Sequence, residues 1–108
     1  MNIGQIAKMA QQMQTQMAQA QDELKETTLE ASAGGGAVRI VITGAQEVRS
    51  VEIDPSAVDP DEVEMLQDLV MTAMNDAIGR SKELERERMG RIAGGMGLPG
   101  MPGLPGLG

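Results

Sequence analysis

Residues 53–78 read IDPSAVDPDEVEMLQDLVMTAMNDAI. Asp54-Pro55-Ser56 must turn the chain, because proline fixes φ and an aspartate carboxylate accepts from amides just downstream. Asp59, Pro60 and Glu62 then have the spacing of a helix start. Asp59 is the expected N-cap, Pro60 stands at N1, and Glu62 at N3 closes a capping box, with Val58 and Val63 as a hydrophobic staple. Beyond them Val63, Leu66, Val70, Ala73 and Ala77 recur at alternating steps of three and four, widened by Leu69, Met74 and Ile78. A strand therefore ends at Ile53, and a helix with a broad apolar face follows. That face must be covered.

Working outward, 108 residues make one small domain, and with no aromatic residue its core must come from Val, Ile, Leu, Ala and ten Met. Methionine fills gaps without fixing geometry, so a modest monomer core that gains stability in an oligomer is expected. The chain has no cysteine and no histidine. That removes disulfides, thiolate chemistry and imidazole catalysis, and no serine stands near a plausible base, so no enzyme is expected. No apolar run marks export or spans a bilayer, and the chain reads as a soluble cytoplasmic protein.

Upstream, Ile3, Ile6, Ala10, Met13, Met17, Ala20 and Leu24 define a first long helix with glutamines over much of its remaining surface. The seam is read as a core face, with an inter-subunit coiled coil as the other reading. From Thr27 the period changes to two. Leu29, Ala31 and Ala33 form one face of a weak strand; Val38, Ile40 and Ile42 form one face of a strong strand. Arg49, Val51 and Ile53 share a face of a third, from Glu47 to Ile53. Gly34-Gly35-Gly36 and Gly44-Ala45-Gln46 supply the turns. The expected class is α+β, with a long helix, a three-stranded antiparallel meander and a second long helix in the order α-β-β-β-α. In this reading Val41 and Val48 lie opposite the main apolar face, where the sheet would meet another subunit. The three glycines are not a phosphate loop, which needs a helix directly after it.

After Ile78 only Leu84 interrupts the polar run of residues 79–88, so this half of the second helix cannot pack on the sheet. Length agrees: helices of about 24 residues reach roughly 36 Å, whereas strands of about seven residues span roughly 23 Å. Both helices are expected to overhang the sheet. Arg80, Leu84, Arg88 and Arg91 share one side of the overhang, and Lys82 and Arg86 form a second basic strip. Pairs such as Glu87 with Arg91, Lys82 with Glu85 and Glu85 with Arg88 would make it a merely solvated surface. Gly79 is unfavourable in a helix interior and is expected to mark a bend or a close approach. Residues 94–108 contain only Gly, Leu, Met and Pro, and they are expected to form a flexible tail beyond a domain of residues 1–93.

The net charge of −7 is unevenly placed. Residues 52–76 hold eight acids and no base, residues 80–91 five bases against three acids, and residues 1–21 only Lys8. The two ends alone can approach a polyanion without repulsion. Asp54, Asp59, Asp61, Glu62 and Glu64 resemble a hard-cation cluster, but carboxylates at a helix N-terminus already oppose the dipole there. No metal, cofactor or small-molecule substrate is expected.

Four motifs now stand together: GGG-x-VRIVITG, VEIDPSAVDP, DEVEMLQDLV followed by MNDAI, and MG-x-x-x-GGMGLPG. They closely resemble the YbaB/EbfC family of bacterial nucleoid-associated proteins, over almost the full length. The resemblance implies a homodimer of α-β-β-β-α protomers whose projecting helical arms bind double-stranded DNA without enzymatic activity. It implies a place in the cytoplasm and nucleoid, and effects on nucleoid organisation and gene expression. It brings no fixed set of DNA-contacting residues. Charge and projection select Lys8, Lys25, Arg80, Lys82, Arg86, Arg88 and Arg91, chiefly as phosphate contacts. Val38, Ile40, Val41, Val48 and Val51 are the candidate dimer interface. The alternative is a protein-interaction adaptor that recruits a partner through the helical seam and the apolar tail. Readers of single strands or RNA are disfavoured, because no ring is present to stack bases.

Overall fold

The computed structural model describes residues 2–95. Its elements are α1 (Ile3–Glu26), β1 (Thr28–Ala33), β2 (Val38–Thr43), β3 (Val48–Ile53) and α2 (Val63–Gly95), with a 3-10 turn at Pro55–Ala57. The α-β-β-β-α order is as expected. The strands pair antiparallel in the order β1-β2-β3, and Gly34, Gly35 and Gly36 link the first two with φ of 65°, 67° and 96°. Gly94 and Gly95 belong to α2, so the helix passes the expected boundary at residue 93. The rest of the expected tail lies outside the described residues.

Leu29, Ala31 and Ala33 of β1 stand opposite Ile42, Ile40 and Val38 of β2, and directly opposed residues share a face. α2 lies across this face, burying Ala31, Val38, Ile40, Ile42, Ala73 and Ala77. Ala73 and Ala77 sit one turn apart on the contact side, where small side chains let the helix approach the strands. Each fully buried isoleucine or valine contributes about 1.5–3 kcal/mol of transfer free energy. The crossing is framed by two contacts. At one end a Cβ on Gly34 would stand 2.9 Å from Leu69 Cδ2; at the other, Ser81 bonds to Thr43, the last residue of β2. Leu69 and Ser81 are about 18 Å apart along the helix, close to the length of these strands, and α2 then runs on for about 21 Å past the sheet.

Three expectations need correction. α2 starts at Val63, not Pro60. The Asp59 carboxylate accepts from the Asp61 amide and the Asp59 carbonyl from the Glu62 amide, both at 2.9 Å. Asp59 therefore caps a turn that precedes the helix, and Val58 and Val63 remain exposed without forming a staple.

The second correction is in β3. Pairing is regular from Val38↔Ile53 to Val41↔Ser50, and then Ile42 pairs with Val48, leaving Arg49 as the extra residue of a bulge. The turn causes it. The Thr43 amide donates to the Glu47 carbonyl at 2.8 Å, a closure one residue out of step with the register that sets Val51 and Ile53 opposite Ile40 and Val38. The bulge reconciles the two. Val48 thereby leaves the face of Val41 and joins Val51 and Ile53 on the helical side of the sheet. The opposite face keeps Val41 among Glu30, Ser32, Arg39, Ser50 and Glu52, so of the two valines expected there only Val41 remains.

The third concerns α1. Of its seam only Ala20 and Leu24 are buried, while Ile3, Ile6 and Met17 are 84%, 51% and 41% exposed. α2 already occupies the sheet, which leaves α1 the end of β2 and α2 itself. Leu84, Arg88, Met89 and Ile92, beyond the sheet, are half-buried, and α1 is the described element available to cover them. The two helices therefore run antiparallel along the extension.

Candidate nucleic-acid interface

The helical extensions leave the body at one corner. The Gly44 amide donates to the carbonyls of Leu24 and Thr27, each at 2.9 Å. A Cβ at Gly44 would stand 2.6 Å from Leu24 Cδ2 and 3.2 Å from Leu84 Cδ2, so glycine is what admits both helices here. Gln46 has a φ of 61°, a conformation that costs an L-residue roughly 1–2 kcal/mol. The three-residue hairpin loop requires such a residue, usually glycine. Ser81 holds it. The buried hydroxyl donates to the Thr43 carbonyl at 2.6 Å and accepts from the Gln46 amide at 3.1 Å and from Gln46 Nε2 at 3.0 Å. Gln46 Nε2 also reaches the Gly44 carbonyl at 3.0 Å. Among the described residues the three bonds of Ser81 are the hydrogen bonds that tie α2 to the sheet and its hairpins. In the sequence Ser81 stands within the polar run of residues 79–88. Its signal was there: Ser81 continues the row Val70, Ala73, Ala77 by one more step of four.

α2 gathers five of the seven expected DNA-binding residues on its distal part. Three are paired with neighbouring acids: Arg80 with Asp76 at 2.9 Å, Arg86 with Glu83 at 3.3 Å and Arg91 with Glu87 at 2.6 Å. The expected Glu87–Arg91 pair is thus present, but the other two form no bridge, and Lys82 and Arg88 have no ion pair among the described residues. Arg88 is half-buried on the side toward α1; the other four are exposed. The Arg80, Arg86 and Arg91 side chains are 61–73% exposed, and such surface pairs are worth about 0–1 kcal/mol, so a phosphate can displace the carboxylate. Lys8 lies on an open face of α1 with Gln11, Gln12, Thr15 and Gln16. Lys25 is in the last turn of α1, about 26 Å along the axis from Lys8. Its carbonyl accepts from Arg49 Nη2 at 3.0 Å.

The acidic excess sits elsewhere, on β3, on the loop after it and on the sheet-covering part of α2, whereas Glu83, Glu85 and Glu87 on the distal part are outnumbered by its five bases. Asp54 Oδ1 accepts from the Ser56 amide and the Ser56 hydroxyl, both at 2.9 Å. The amide first, then the hydroxyl, hold this carboxyl below its ordinary pKa of 3.8. Charge is therefore segregated along a molecule 69 Å long. Gly79, near the boundary, has nothing within 4 Å of its Cβ position, so it permits no close approach. Of the expected interface residues, Val38 and Ile40 are fully buried under α2, and Val41 is half-buried on the other face; Val48 and Val51 are 39% and 46% exposed. No helix among the described residues is long and apolar enough to cross a membrane.

These features define a class of binding protein, with an α-β-β-β-α body that is acidic at one end and extended by basic helix at the other. A sequence profile of the YbaB/EbfC DNA-binding family matches residues 1–96. A nucleoid-associated protein of Acetivibrio thermocellus is 50% identical over 89% of this chain and 85% of its own length. One of Chloroflexus aurantiacus is 50% identical over 89% of this chain and 96% of its own. The crystal structure of an uncharacterized Helicobacter pylori protein superposes with a TM-score of 0.73 at 25% identity, covering 81% of this chain and 91% of that one. The chain belongs to the YbaB/EbfC DNA-binding family.

Proposed function

We propose that this is a non-enzymatic, nucleoid-associated protein that binds duplex DNA as a homodimer, with its helical extensions as arms. The segregation of charge carries the reading: Arg80, Lys82, Arg86, Arg88 and Arg91 stand on the distal part of one helix, past the acids of residues 52–76, of which Asp76 pairs with Arg80 at the boundary. Lys8 and Lys25 assist from α1. The contacts are chiefly to phosphate, and they position the duplex without reading its sequence. The names of the relatives support a place in the nucleoid, hence in the cytoplasm; effects on nucleoid organisation and gene expression belong to the proposal. The homodimer rests on the open β3 edge, where Val48, Val51 and Ile53 are 38–46% exposed on a side that α2 leaves uncovered. A second copy would cover that strip.

Titration of duplex DNA across salt concentrations tests the binding surface. Replacing Arg86, Arg88 and Arg91 together by Gln removes counterion-releasing charge. Losing two or three phosphate contacts per dimer then flattens the plot of log affinity against log salt by about two to three units. Val51→Asp would place an unpaired charge in the subunit contact, and sedimentation should report monomer. The exposed α1 seam, Ile3, Ile6 and Met17, favours the alternative of a protein-interaction adaptor. Unaltered affinity and slope in the triple variant would move the assignment there.

A further inference from the structure

We infer that Ser81 is a positioning residue that fixes the direction of both helical extensions, and with it the spacing of the basic groups they carry. The hydrogen bonds that fix both helices to the β2–β3 hairpin loop meet within Thr43–Gln46, in addition to the packing of α1 on α2 and the Arg49 bond to the Lys25 carbonyl. α1 is held by the Gly44 amide through the Leu24 and Thr27 carbonyls, and α2 is held by the Ser81 hydroxyl through the Thr43 carbonyl and Gln46. Beyond this corner α2 continues for about 21 Å and α1 for about 32 Å. Ten degrees of play at the corner would displace such tips by roughly 4–6 Å, whereas a binding constellation has to be held to within about 0.5 Å.

Two locally unfavourable choices coincide here. Alanine would continue the Ala73–Ala77 row with better helix propensity, yet the chain places serine, which competes for backbone groups. Glycine suits the left-handed loop position, yet the chain places Gln46 at a φ of 61°. Each departure from the local rule is answered by the other, because the serine oxygen receives both Gln46 donors. Local departures that are over-determined by their surroundings mark sites where geometry is being enforced. The consequence for binding rests on the DNA-binding reading above; the geometry of the corner does not.

The chain has no cysteine, so nitroxide pairs can be introduced at Gln5, Ser32 and Gly90 by replacement with Cys. Gly90 has nothing within 4 Å of its Cβ position. Spin-diluted double electron–electron resonance would report the distances from Ser32, on the sheet, to each extension. Ser81→Ala should widen both distributions to about twice their width or more as the constraint is lost. Duplex affinity should fall roughly three- to tenfold with the salt slope unchanged, because preorganisation is lost and charge is not. Gln46→Gly relieves the positive φ and removes the side-chain bonds. Its thermal midpoint should stay level or rise while the distributions widen, and it carries the test if Ser81→Ala does not fold. Val38→Ala, which loosens the core at the opposite end of β2, beside the Gly34 turn, should keep the original widths.

Unchanged widths in Ser81→Ala, or equal widening in Val38→Ala, would overturn the assignment. Widening without loss of affinity would overturn the role in binding. A wild-type protein with no affinity for duplex would overturn the proposed function, and a selective widening in Ser81→Ala would still support the corner as the anchor.

Discussion

α2 is one continuous helix with two halves built on different principles. Up to Ser81 it is specified by burial: Val70, Ala73 and Ala77 face the sheet, while Glu64, Asp68 and Asp76 face water. Beyond Ser81 it buries little. Leu84, Met89 and Ile92 are half-covered, and most of the remaining surface is charge, with two side-chain pairs about one turn apart. Such pairs contribute only about 0.2–0.5 kcal/mol each. The distal half is helical because the body has already nucleated the helix, since propagation is far cheaper than initiation. Packing can therefore be concentrated in one half and the surface of the other left free for charge.

The sharpest way to break this contrast is in the body. Ile40→Ala should cost about 2–5 kcal/mol in urea unfolding, through lost transfer energy and the cavity left behind. A loss under about 1 kcal/mol would mean that burial does not specify the proximal half. At the corner, Gly44→Ala should cost about 1–3 kcal/mol by overpacking Leu24 and Leu84. Full wild-type stability in that variant would mean that the two helices do not close on this glycine. Gly79→Ala should act oppositely, raising stability by about 1 kcal/mol, because alanine is the better helix former and the space is open. A lower melting temperature would show that this glycine has a role in the boundary. The smallest effect belongs to Asp54→Ala. The folded carboxyl titrates below 3.8, so its stabilisation is fully present at neutral pH and is lost as pH falls through the folded value. The gap in melting temperature between variant and wild type should be open at pH 7 and close below about pH 3.8. A gap that persisted in acid would assign the effect to the turn's backbone. All four comparisons need one protein concentration, because self-association would shift apparent stability by mass action.

Element order, both turns and the contact face of α2 were legible, because each is written in local periodicity or in glycine placement. What escaped depended on competition between distant parts. The spacing at Asp59, Pro60 and Glu62 fits a capping box, but the Asp59 carboxylate takes the nearer Asp61 amide. Val48 reads by alternation as a neighbour of Val41, and only the conflict between turn closure and strand register moves it. The α1 seam looks like a core stripe, yet the available sheet is taken by α2. The basic residues were found by charge alone. Which of them carry partners was not, since Arg80 pairs with Asp76 while Lys82 leaves Glu85 unbridged. Ser81 could have been found on a helical wheel, but its three hydrogen bonds required the hairpin to be seen beside it.

The bulge at Arg49 makes this protein more sensitive to chain length than to chemistry on one side. Shortening the turn by one residue would let the regular pairing run to the hairpin, with Arg49 opposite Ile42 and Val48 returned to the side of Val41. The helical side of β3 would then offer a guanidinium where it now offers an isopropyl group, with β3 itself unaltered in composition. Among natural variants, single-residue insertions and deletions between Thr43 and Val48 should therefore be rarer than substitutions there, because an indel inverts the strand's polarity at one end whereas a substitution changes only one side chain.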